Sequence, residues 1–306
     1  MYDILKRLMD TPSVSGAEEK IASLLQKEIG KYFDETYFDN AKNLVFHKKG
    51  KGENIMFCTS LDTDSVVATS VQDGKANVYI TGNISAQTCN QRLVTFEGGA
   101  KGLFICKADA DKGASETFVE LLLSQPDVAV GEKGFFDADF TSLGDDIYAG
   151  FGLCAKLCIL SMILSAKNIA NTDKNVYFVF TVQSKLGFRS SMQAANTVKP
   201  DKAYVIGASE GQFGKILIRV LDKSFTASKV LVDKVQEVAK KCSVEYCLVA
   251  KPEQISQCSK IASANEGCLV CQIDLPAKYC DTVRECARLC DAENMANIIE
   301  QLILAD

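Results

Sequence analysis

Apolar positions along the chain follow two rhythms. In "SGAEEKIASLLQKEIGKYF", Ile21, Leu24, Leu25, Ile29 and Tyr32 recur at three- and four-residue intervals, which predicts an amphipathic helix. Ser15 and Glu18 are spaced as a capping box at its start. From 151 to 165, "FGLCAKLCILSMILS" is apolar nearly all round and predicts a buried helix. Continuous runs rich in β-branched and aromatic residues predict strands covered on both faces at 175–182 ("NVYFVFTV"), "KAYVIG", "KILIRVL" and "CLVCQID". "NLVFHKKGKGENIMFCTS" reads as a hairpin, two short apolar strands around a Lys- and Gly-rich turn. Further helices are expected near 188–197, over 227–241 and over 291–304.

This alternation of strands and helices predicts a sheet flanked by helices on both faces. Residues 66–143 break the pattern. "VATSVQDGKANVYITGN", "QRLVTFEGGAKGLFICK" and "GEKGFFDADF" are short strand candidates with Gly-containing turns, interrupted by an expected helix near 115–124. The division that follows is a discontinuous α/β domain, 1–65 and 144–306, carrying an inserted β-rich domain, 66–143.

Composition narrows the function. The 306 residues are 47% hydrophobic and 24% charged with a net charge of -5, and the lysines are scattered, so neither a nucleic-acid stripe nor a membrane patch is expected. "MYDILKRLMDTPSVSG" lacks the apolar core of a signal peptide, and the longest apolar stretch, 157–164, is too short to span a bilayer, which points to the cytoplasm. Eight of the 13 cysteines fall between Cys242 and Cys290. Cys268 and Cys271, three apart on a strand, point to opposite faces, and Cys286 with Cys290 on one helical face supplies only two thiolates, so reduced, buried thiols are expected rather than zinc or disulfides.

Several segments together resemble the glutamyl aminopeptidase and cellulase M family of co-catalytic zinc aminopeptidases, which includes the tetrahedral aminopeptidases. "TPSVSGAEEKI" is similar to its N-terminal signature, "NLVFHKKGKGENIMFCTSLDTD" to its strand before the first metal ligand, "VYFVFTVQSKLGFRSS" to "VYFVFTVQEEVGLRGA", and "LPAKYCDTVRE" to "IPTRYIHSPVE". "QRLVTFEGGAKGLF" and "VAVGEKGFFDADF" resemble stretches of its β-barrel dimerisation domain. The resemblance implies a three-layer α/β/α domain with a mixed central sheet plus an inserted β-barrel-like domain.

It also implies where a metal centre would lie. Family members hold two zinc or cobalt ions with two histidines and three carboxylates, and a further glutamate activates water. The histidine of "HMD" falls on Ser60 and its aspartate is kept as Asp62. The bridging aspartate of "LDNR" falls on Ala149, and the base and ligand glutamates of "QEE" fall on Ser184 and Lys185. The next ligand aspartate falls on Gly207, and the histidine of "HSP" on Asp281. His47, the only histidine, matches a non-ligand position and is expected in a solvated turn.

With the ligand positions changed, the sequence implies a family member that has lost metal-dependent peptide hydrolysis, uses no cofactor, and acts in binding, regulation or assembly. Its expected partners are a peptide or small molecule, a second copy joined through the inserted domain, or an active paralogue. An alternative is a hydrolase built on Ser60 as nucleophile with Lys185 as base. A thiol mechanism at Cys58 is a further alternative, against a plain role in the sheet core. The Lys185 ammonium is expected within about 4 Å of Asp62 or Asp281, because charges left in a partly buried cleft find one another.

Overall fold

The computed structural model describes residues 1–109, 114–121, 127–169 and 172–305. Helices α1 (Tyr2–Met9) and α2 (Glu19–Ile29) precede strands β1 (Glu35–Phe38), β2 (Leu44–Lys48) and β3 (Lys51–Ser60). Six strands follow: β4 (Ser65–Gln72), β5 (Lys75–Thr81), β6 (Leu93–Phe96), β7 (Lys101–Asp109), β8 (Ala114–Leu121) and β9 (Lys133–Phe136). Strands β10 (Thr141–Gly144) and β11 (Ile147–Gly150) lead into α3 (Leu153–Ala166) and β12 (Lys174–Thr181). The chain ends with α4 (Ser191–Val198), β13 (Lys202–Glu210), β14 (Lys215–Asp222), α5 (Lys229–Lys241), β15 (Glu245–Lys251), α6 (Cys258–Ala262), β16 (Leu269–Lys278), β17 (Glu285–Arg288) and α7 (Leu289–Ala305).

An 11-stranded mixed sheet runs β1-β2-β12-β3-β13-β16-β17-β11-β10, with β14 on β16 and β15 on β14. Its centre is parallel: β12 with β3, β3 with β13, and β13 with β16. Strand periodicity sorts the side chains onto two faces. Phe57, Phe178, Tyr204 and Ile273 pack with α3, α5 and α7, whereas Met56, Cys58, Val179 and Val205 pack with Ala194 and Val198 of α4 and Ile261 of α6. Because α3 lies between this sheet and its helical neighbours, it is buried nearly all round, Lys156 included.

The expected hairpin over 43–60 does not form. Strand β12 lies between β2 and β3, antiparallel to the first and parallel to the second. Its apolar run must be covered on both edges as well as both faces, and a central place in the sheet does this. The connection is made possible at Gly50, where a Cβ would meet the backbone carbon of Lys174 at 2.1 Å. His47 accordingly lies in a strand and not in a solvated turn: its ring stacks on Tyr177 with centroids 4.1 Å apart, and Nε2 lies 2.6 Å from Asn175 Oδ1.

Strands β4-β5-β8-β7-β6-β9 close into a barrel around Val66, Val78, Phe96, Phe104, Val119 and Phe136. The helix expected near 115–124 is instead β8, paired with β7 along its length and with β5; positions 122–126 lie outside the described residues. Thr117, Phe118 and Val119 are strand formers, and barrel closure rewards them. All 13 cysteines are free thiols. Cys271 and Cys268 do face opposite sides of the sheet, but Cys286 lies in β17 and Cys290 in α7, so they share no helical face. Among the described residues no helix is long and apolar enough to cross a membrane.

Candidate functional site

Parallel strands β3 and β12 end side by side, with Ser60 opposite Thr181 and the Leu61 amide bonded to Thr181 O at 2.8 Å. Beyond them the chain from β12 turns tightly through Gln183, which adopts a left-handed φ of 52°, and a single 3-10 turn, Ser184–Leu186. Two buried carboxylates hold this turn. Glu18 Oε1 accepts the Gln183 amide at 2.8 Å, while Asp62 accepts the Ser184 amide at 3.0 Å through Oδ1 and the Lys185 amide at 2.9 Å through Oδ2. Ser15 Oγ donates to Asp62 Oδ2 at 2.5 Å.

The capping box is thereby corrected. Helix α2 starts at Glu19 without a side-chain cap bond; Glu18 instead accepts the Gln183 amide, and the Ser15 hydroxyl donates to Asp62, which accepts the amides of Ser184 and Lys185, so that the part-buried turn has carboxylate acceptors for all three. Burial raises the Glu18 pKa, against the lowering effect of the Gln183 and Gly16 amides.

Lys185 does not pair with Asp62 or Asp281 as expected. Its ammonium lies 2.7 Å from Oδ2 of Asp64, whose Oδ1 accepts the Asn83 amide at 2.8 Å from the barrel loop after β5. Gly82 makes room for this pair: a Cβ there would meet Asp64 Oδ1 at 1.9 Å, and its φ of 96° also disfavours a side chain. Burial alone would lower the Lys185 pKa, but the charge and hydrogen bond of Asp64, with weaker pulls from Glu285 and Asp281, leave it above the usual lysine range. Asp281 sits in the turn after β16 at φ 57°, and burial raises its pKa against the attraction of Lys185. Buried Glu285 accepts the Cys154 amide at 2.8 Å, and its carboxyl is pushed up to about 7, chiefly by burial.

Ser60 ends β3, half-buried, and Ala149 is buried in β11. Ser184 Oγ is spent on Thr181 Oγ1 at 3.1 Å. Gly207 faces Asp274 across the β13–β16 register, and a Cβ on it would meet Asp274 Oδ1 at 2.4 Å and Gln272 Nε2 at 2.7 Å. That carboxylate is neutralised by Arg219, whose Nε and terminal nitrogen donate to Oδ2 at 3.0 and 2.6 Å.

The residues at these positions do not fit a pair of zinc or cobalt ions. Ala149 and Gly207 offer no side-chain donor, Lys185 brings a cation, and the space beside Gly207 is filled by an ion-paired carboxylate. Among the described residues no group of three or more His, Cys, Asp or Glu is arranged to hold a metal ion. The Ser60–Lys185 alternative also loses its base, since Asp64 keeps the lysine protonated. Cys58 is buried against Gln257, its thiol pushed up to about 12 by burial, which suits a core residue and not a nucleophile.

Sequence reasoning did not single out Glu18 as an amide acceptor, nor Asp64, Arg219, Asp274 or Glu285. A signal existed for Asp64, which stands two residues beyond Asp62 in "LDTDS" and so on the same side of an extended chain. None existed for the Arg219–Asp274 pair, whose members meet only across neighbouring strands.

A profile of the family described as M42 glutamyl aminopeptidase matches residues 42–298. A putative aminopeptidase of Acetivibrio thermocellus is 27% identical over 99% of this chain and 98% of its own length. Among solved structures, an aminopeptidase of Desulfurococcus kamchatkensis superposes with a TM-score of 0.89 at 20% identity, covering 98% of this chain and 93% of its own. The TET1 peptidase of Pyrococcus horikoshii, described as assembling into a tetrahedron or a large octahedral shell, gives a TM-score of 0.87 at 22% identity, covering 99% and 98%.

Proposed function

The chain belongs to the M42 glutamyl aminopeptidase family, and from that premise we propose that it acts as a binding or assembly subunit without metal-dependent peptide hydrolysis. The observation that carries this reading is the Lys185–Asp64 pair, 2.7 Å long, at a position that resembles a metal ligand of the family. An ammonium about 4 Å from a dication is repelled by several kcal/mol at an effective dielectric near 20. Gly207, closed in by Asp274, supports the same conclusion at a second ligand position. The cleft at the ends of β3 and β12 then serves to bind a peptide or small molecule, in the cytosol, where 13 free thiols stay reduced.

Self-assembly through the inserted segment 66–143 completes the proposal. It is supported by the assembly described for the Pyrococcus horikoshii TET1 peptidase and by the closed barrel that the segment builds. The decisive experiment is metal analysis of the purified protein combined with turnover of aminoacyl-p-nitroanilides. Neither stoichiometric zinc or cobalt nor turnover is expected, and two ions per chain with turnover would refute the reading. Light scattering tests the assembly separately: a monomeric full-length protein, or an oligomer unchanged by removal of 66–143, counts against it.

A further inference from the structure

A second polar centre adjoins the β3–β12 cleft through segment 13–15, whose Ser13 carbonyl accepts the Thr63 amide and whose Ser15 hydroxyl donates to Asp62. A cavity of about 220 Å³ between the N-terminal segment and the barrel is lined by Met9, Asp10, Phe136, Asp137, Ser13 and Lys156, and Ser13 is 1% exposed. Lys156 belongs to the otherwise apolar α3 and is 3% exposed. Its Nζ lies 2.6 Å from Ser13 Oγ and 3.1 Å from Thr11 O. The Ser13 backbone is itself pinned, its carbonyl accepting the Thr63 amide at 2.8 Å.

The protonation state follows from this setting. Burial draws the lysine down to about 7, and the charge of Asp62, on the segment between β3 and β4, opposes that only in part. Asp10 and Asp137 are the other charged groups lining the cavity. In the structure Lys156 Nζ donates to both Ser13 Oγ and Thr11 O; loss of its proton would free a lone pair to accept the Ser13 hydroxyl while the bond to Thr11 O is kept. That is the arrangement of a serine activated by an adjacent base. A lysine that merely tied the loop to α3 would carry a desolvation cost that an apolar residue avoids.

We propose that Ser13 and Lys156 form a metal-independent nucleophile and base that takes a small acyl group from an ester entering this cavity. Ser13 Oγ attacks the carbonyl carbon as its proton passes to Lys156 Nζ. Collapse of the tetrahedral intermediate breaks the ester C–O bond, and Lys156 returns the proton to the departing alkoxide. Water repeats the sequence to release the carboxylic acid and restore the serine. A volume below that of ordinary drug-sized pockets restricts the acyl group to a short one, and Asp10 and Asp137 favour a cationic substituent beside the carbonyl. The chemistry needs no metal, so chelators leave it unaffected, while the Asp62 charge in the neighbouring cleft holds the Lys156 pKa up in part.

The test is incubation of the full-length protein with p-nitrophenyl acetate, with intact mass and peptide mapping at intervals from pH 5.5 to 9. One acetyl group on Ser13 is expected, forming at a rate that rises through about pH 7 and then levels. Ser13→Ala removes it, and Lys156→Arg, which keeps the charge but cannot serve as base, slows it by about a hundredfold or more. Circular dichroism establishes that the variants fold; should they not, the site and pH profile in the unaltered protein decide alone. Acetylation of Lys156 instead of Ser13, no acetyl on Ser13 in the folded protein, or a rate with no inflection near 7 overturns the proposal.

Discussion

Lys185 Nζ and Asp64 Oδ2 meet at 2.7 Å, joining the turn after β12 to the segment that enters the barrel. The carboxylate is nearly covered and the lysine about one quarter exposed, 7% and 24% by side chain. Asp62 binds the same lysine through its backbone amide alone. One residue is thus held by two acidic neighbours in two different ways, which makes their contributions separable.

Lys185→Met is expected to lower stability by about 1–3 kcal/mol, less than for a fully buried pair because part of the lysine is hydrated. In a double-mutant cycle with Asp64→Asn the coupling should reach about 1 kcal/mol or more, while the same cycle with Asp281→Asn should stay near additivity. Urea unfolding of the single and double variants measures both. Stronger coupling to Asp281 would mean that the lysine has a different partner.

Stability should depend on pH in two opposing windows. Glu285 is raised from 4.5 to about 7, so its folded form holds the proton more tightly, and its contribution falls as pH rises from 4.5 through 7. Lys156 is lowered from 10.5 to about 7, so its folded form releases the proton, and its contribution rises from pH 7 toward 10.5. Each slope is at most about 1.4 kcal/mol per pH unit. Urea titrations across this range should show Glu285→Gln flattening the acid limb and Lys156→Met the alkaline limb. A wild-type profile matching that of either variant would contradict the assignment.

Gly207→Ala should destabilise the protein by about 1–3 kcal/mol, because its Cβ would meet Asp274 and Gln272 below van der Waals separation. Gly207→Asp should cost more, since it adds a second buried carboxylate beside Asp274, and should not create metal affinity. Thermal melts with and without added zinc measure both effects. A zinc-dependent rise in the Tm of Gly207→Asp would show that the position still faces a metal cavity.

Ser15→Ala should couple to Asp62→Asn, its hydrogen-bond partner, and add simply to Glu18→Gln. Coupling of Ser15 to Glu18, with none to Asp62, would restore the capping box. Unfolding free energies of the three single and two double variants distinguish the outcomes.

Local pattern alone carried the elements whose signal is internal to them. The β12 run, the nearly all-apolar α3, the amphipathic α2 and the many short strands of the insert follow from periodicity and residue shape, which act over a few residues. The family resemblance implied that Ser60, Asp62, Lys185, Gly207 and Asp281 lie around one cleft, and of these the structure joins Asp62 to the Lys185 amide. Partners were a different matter. Whether β3 pairs with β2 or with β12, whether Lys185 reaches Asp64 or Asp281, and whether Ser15 caps a helix or holds Asp62 depend on distances set only after the sheet and barrel close. The same holds for Arg219 with Asp274 and for Ser13 with Lys156, each joining groups far apart in the chain. Hydrophobic periodicity is local because it reflects which side of an element meets water, whereas the partner of a buried charge is decided by long-range packing, where the cost of leaving it unpaired is felt.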